Sequence, residues 1–65
     1  MVKEMAERQL NYYRGLYNKE KKVFDDPKTP ALKMRYAGCR MLDYLKKIKY
    51  WEGIIAEEEK LEEGE

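Results

Sequence analysis

The chain has two prolines, Pro27 and Pro30, and both fall in one six-residue stretch, Asp25-Asp26-Pro27-Lys28-Thr29-Pro30. Pro27 disfavours the α conformation at Asp26, so a first helix is expected to stop near Phe24 or Asp25. Thr29 followed by Pro30 reads as an N-cap with proline at the first helical position, which starts a second helix. With no other proline to break either side, the chain is confined to two long helices joined by a short turn. The expected fold is an all-α antiparallel hairpin, with helices over about 2–24 and 30–61 in one domain spanning residues 1–65.

Periodicity supports both helices. At 100° per residue, Val2, Met5, Ala6, Leu10, Tyr12, Tyr13, Leu16, Tyr17, Val23 and Phe24 fall within an arc of about 160°, interrupted by Gln9 and Glu20. A carboxylate in such an arc needs a partner. Counting from a turn centred near residue 27 places Glu20 level with Lys33 to Arg35, and Arg35 is the expected partner. In the second helix Ala37, Met41, Tyr44, Ile48, Trp51 and Ile55 recur at spacings of four and three, with Met34, Gly38 and Leu45 beside them. That is a heptad-like seam suited to left-handed bundle packing. Leu32, Tyr36, Cys39, Tyr50, Ile54 and Leu61 fall on the other side, where the first helix does not reach.

Size makes this surplus matter. A 65-residue chain buries only about 60% of its unfolded surface, and ordering it costs on the order of 100 kcal/mol. Cys39 is the only cysteine and there is no histidine, so neither a disulfide nor a zinc site is expected to staple the fold. Self-association is the remaining device. The reading is a homodimer of hairpins forming a four-helix bundle.

Charge points the same way. The net charge is +1, but residues 1–49 carry 13 Lys/Arg against 6 Asp/Glu, whereas residues 50–65 carry Lys60 against seven glutamates. The glutamates sit at the negative end of the second helix, where they need an offsetting partner. Helix lengths of about 23 and 33 residues imply an overhang of roughly 15 Å beginning near Gly53. Tyr50, Trp51, Ile54, Ile55 and Leu61 there are the expected oligomer or partner surface, and the acidic end is expected to meet the basic turn of a mate. Residues 62–65 are assigned as an acidic end that frays.

Catalytic chemistry is poorly provided for. The chain has neither serine nor histidine, which removes the usual base near pH 7 and a Ser-His-Asp arrangement. Cys39 has no histidine to activate it. No glycine-rich loop opens a helix, and no cofactor, metal or small-molecule substrate is expected. No apolar run is long enough to span a membrane, and a cytoplasmic, non-enzymatic interaction protein acting as a regulator or adaptor is the leading expectation.

The competing expectation is nucleic-acid binding by a basic and aromatic face. Arg14, Lys19, Lys22, Lys28, Lys33, Arg35 and Arg40 are the candidate patch for RNA, DNA or an acidic protein partner. In length and organisation the chain resembles the small plasmid RNA-binding hairpins that dimerise into four-helix bundles. Separately, Cys39-Arg40-Met41-Leu42-Asp43 resembles the Ser-x-x-x-Leu/Asp type signature of the sporulation-regulating aspartyl-phosphate phosphatases, with cysteine in place of serine. That resemblance covers five residues and implies Asp43 as a functional carboxylate; an Asp43 to Lys47 helical ion pair is the alternative reading of the same residue.

Overall fold

The computed structural model describes residues 2–63. Two helices, α1 (Val2–Asp25) and α2 (Ala31–Glu63), pack antiparallel as a hairpin, and there is no strand among the described residues. The helix boundaries agree with the sequence reading to within two residues. α2 runs to Glu63; the remainder of the acidic end assigned to 62–65, Gly64 and Glu65, lies outside the described residues.

The turn differs from expectation in one respect. Asp26 and Pro27 occupy the first two positions of a tight turn closed by the Thr29 amide donating to the Asp26 carbonyl at 3.1 Å, and the Lys28 amide donates to Asp26 Oδ1 at 2.9 Å. Aspartate first and proline second is the residue order such a turn favours. Thr29, expected to cap α2, turns its hydroxyl the other way and donates to the Val23 carbonyl at 2.7 Å. The first hydrogen bond of α2 runs from the Met34 amide to the Pro30 carbonyl, so the cap position is Pro30, one residue later than expected. The reason is the end of α1. Its last carbonyls have no helical donors, and no described residue adopts the left-handed conformation that often closes a helix. Thr29 adds a second, shorter donor to the Val23 carbonyl, which also accepts the Asp26 amide at 3.4 Å.

The packed seam is a strict heptad on both helices. On α1 it runs Lys3, Ala6, Leu10, Tyr13, Tyr17, Glu20, and on α2 Met34, Ala37, Met41, Tyr44, Ile48, Trp51, Ile55, Glu58, all of them buried or half-buried. Spacings alternate between three and four, as left-handed packing of two helices requires. The Tyr13 and Tyr44 rings meet across it, 6.3 Å apart. Among the described residues, Ala6 and Ala37 are the most deeply buried, with Leu10 and Ile48 the other buried apolar ones, and no large side chain is fully enclosed. Small side chains allow the helices to approach closely, but they contribute little buried area. The hairpin measures 53 × 14 × 13 Å, and its radius of gyration is 15.2 Å, against about 11 Å for a compact domain of this length. It is a rod two helices wide.

Two register expectations are corrected. Glu20 pairs with Arg40 at 3.4 Å, where Arg35 was expected. Side chains lean toward the N-terminus of their own helix, so on α1 they lean away from the turn and on α2 toward it. Facing partners therefore lie further along α2 than a count from the turn gives. The same shift shortens the overhang. Lys3 reaches Glu59 at 3.4 Å, and Val2 shares a hollow with Ile54 and Leu61, so α1 covers α2 well past Gly53.

Candidate interaction surface

Beside the seam each helix carries two outward flanks, and their compositions differ. In an antiparallel pair, like flanks of the two helices lie on the same side of the rod. One side combines Glu7, Arg14 and Lys21 of α1 with Leu45, Glu52 and Glu59 of α2, and Arg14 donates to Glu52 Oε2 at 3.2 Å across it. The other side combines Val2, Met5, Gln9, Tyr12, Leu16 and Val23 of α1 with Tyr36, Tyr50, Ile54 and Leu61 of α2, the α2 half being interrupted at mid-rod by Arg40, Asp43 and Lys47. Two hollows fix this assignment at the rod's ends: Val2 lines one with Ile54, Glu57, Glu58 and Leu61, and Val23 lines another with Lys33. The hairpin thus has a charged side and an apolar side.

The apolar side is open to solvent. Tyr12 is 61% exposed, Tyr50 60% and Leu61 73%, and Val2 and Met5 are about as open. The outward tyrosines are braced rather than loose: Tyr12 stands edge-on to Tyr13 at 5.3 Å and Tyr50 edge-on to Trp51 at 5.0 Å. Ring pairs of this geometry add modestly to packing. Here each joins an outward ring to a ring in the seam, which holds the outward one in place.

The sequence-predicted surface residues divide accordingly. Tyr50 and Leu61 are exposed on the apolar side and Ile54 is half-buried at its edge, whereas Trp51 and Ile55 belong to the seam with α1. Met5, Tyr12, Leu16 and Val23, which share one broad apolar arc with the seam residues in the sequence, lie outside the seam in the single hairpin and form the α1 half of the apolar side. The signal was present in the sequence. A seven-residue phase starting at Lys3 places Glu20 in the seam and these four beside it, but it requires accepting two charged residues at seam positions.

The basic candidates do not form one strip. Arg14 is engaged with Glu52 on the charged side and Arg40 with Glu20 on the other. Lys22, Lys28 and Lys33 gather around the turn hollow together with Asp26, while Lys19 and Arg35 are exposed on α1 and α2. Cys39 is exposed on the outer surface of α2, and Asp43 is exposed at mid-rod between Tyr36 and Tyr50. No His, Cys, Asp or Glu cluster among the described residues has the geometry of a metal site, and no helix among them is long and apolar enough to cross a membrane.

The acidic end of α2 finds partners within its own chain. Glu59 accepts from Lys3 and Glu52 from Arg14, and antiparallel packing lays these glutamates beside the N-terminal half of α1, toward the positive end of its macrodipole. The Glu59 hydrogen bond, then its charge, raises the Lys3 ammonium above its ordinary pKa of 10.5. One acidic atom is left over: Glu58 Oε2 is shut off from solvent without a hydrogen-bond donor among the described residues.

Fold and surface together define a class, the two-helix antiparallel hairpin with one charged and one apolar outer side. Compared with known proteins, the chain matches no family model, no curated protein and no solved structure.

Proposed function

We propose that this chain is a non-enzymatic interaction protein, a helical hairpin that self-associates and in that form binds another macromolecule as a small regulator or adaptor. The observation that carries the reading is the apolar side of the rod, where residues such as Tyr12, Tyr50 and Leu61 stay more than half exposed although they lie on one side of the hairpin. Scattered surface hydrophobics are ordinary, but large exposed ones gathered on one side of a hairpin support an interaction surface. The thin seam adds weight, because a 65-residue chain whose buried apolar residues, among those described, are two alanines, one leucine and one isoleucine gains much from covering that side.

Nucleic-acid binding has less support, since Arg14 and Arg40 are spent on ion pairs lying on opposite sides of the rod. The lysines around the turn suit an acidic segment of a protein partner, with Asp26 among them reducing the field. Light scattering coupled to size exclusion tests the self-association. Twice the 7.9 kDa chain mass is expected at tens of micromolar and above, and a stable monomer there rules it out.

A further inference from the structure

Building on that self-association, we infer that the apolar side is covered by a second copy of this chain laid antiparallel, the turn of each hairpin against the termini of the other.

Area sets the first condition. The rod is 53 Å long and 14 Å wide, and an ordinary stable interface buries roughly 800 Å² per partner. Only an occupant that runs the full length of the rod covers enough. A second hairpin has that length by construction. A short peptide or an end-on contact does not.

Charge sets the orientation. The turn half of this side carries Lys19 and Lys33, which no ion pair among the described residues engages, while the terminal half carries Glu57 and Glu58 in the hollow with Val2 and Leu61. A parallel arrangement would set each group against its own copy. The antiparallel one, generated by a twofold axis crossing the rod at its middle, stacks α1 on α1 and α2 on α2 and brings Lys33 near Glu57 of the mate. At the axis the same symmetry brings Tyr12 against Leu16 of the mate. Lys47, also close to the axis, then has Asp43 of the mate within reach. An anionic membrane is a poorer occupant, because the glutamates at one end would be repelled by the surface that the lysines at the other end attract.

Spin labels at the turn distinguish the arrangements. With Cys39→Ala removing the native thiol and Asp25→Cys carrying the label, an antiparallel dimer separates the two labels by roughly 35 Å, Asp25 lying about eleven residues along α1 from the axis on each side. A parallel dimer brings them within roughly 20 Å, the spacing of stacked helices plus label arms. The long distance is the expected result. The short distance overturns this inference and leaves self-association standing; a monomeric mass with no dipolar coupling overturns both. A charge exchange provides a second reading: Lys33→Glu is expected to weaken the dimer about tenfold, about threefold for each of two equivalent contacts, and adding Glu57→Lys is expected to restore it. Failure of the second change to rescue the first counts against the antiparallel pairing.

Discussion

Gly15 and Gly53 occupy the outward edges of their helices, and a Cβ built on either meets nothing within 4 Å. Glycine in an exposed helix interior costs about 1 kcal/mol relative to alanine, so Gly15→Ala and Gly53→Ala are each expected to stabilise the fold by about that amount. Urea unfolding at one fixed protein concentration measures it, since association would otherwise shift the midpoint. Gly38 is different. A Cβ there would stand 3.3 Å from the Phe24 ring, so Gly38→Ala gains less than the other two, the ring having to swing outward to make room. Lys3 offers a test by pH. Its folded-state pKa lies above the ordinary 10.5, chiefly through the Glu59 hydrogen bond, so its contribution is fully present below the unfolded value and is lost as pH rises through the folded one. The stability difference between wild type and Lys3→Gln should therefore hold steady through neutral pH and shrink above pH 10.5. An increase there would contradict the assignment of the contact.

At the scale of the elements, the end of α1 depends on a residue that follows it by four positions. The Thr29 hydroxyl bonded to the Val23 carbonyl does the work expected of a C-terminal glycine. Thr29→Val keeps the side chain's shape and removes the donor, and it is expected to cost about 1 kcal/mol, visible as a lower unfolding midpoint, while Thr29→Ser stays close to wild type. The break at Asp25 to Pro30 was legible in the sequence because proline restricts its neighbours locally, with no help from the rest of the fold. The α2 seam was legible for a related reason: its apolar residues alternate by three and four without interruption until Glu58. The α1 seam was not, because Ala6, Leu10, Tyr13 and Tyr17 share their arc with Met5, Tyr12, Leu16 and Val23. A wheel adds two adjacent apolar stripes into one broad one. Only the register against α2, set by how side chains lean, separates them. That lean also moved the partner of Glu20 from Arg35 to Arg40 and drew Glu59 back over Lys3.

For the whole molecule, the distinction between seam and outer side decides which substitutions report on assembly. Replacing Ile54 and Ile55 together, as the sequence alone would suggest, confounds the two, because Ile55 lies in the seam and Ile54 at the edge of the apolar side. A cleaner comparison uses three well-exposed residues. Tyr12 and Leu61 lie on the apolar side, and Leu42, 62% exposed, lies on the opposite flank of α2. In a self-associating hairpin the unfolding temperature rises with protein concentration. Tyr12→Glu with Leu61→Glu is expected to abolish that dependence, since covering a carboxylate in an apolar interface costs several kcal/mol unless it is paired, and symmetry imposes each change twice. Leu42→Glu should leave the dependence intact. Because all three residues face solvent in the single hairpin, far-ultraviolet circular dichroism of the isolated chains should still report helix in each variant. If the Leu42 change proves as disruptive as the pair, the surface that needs covering is on the other side of the rod.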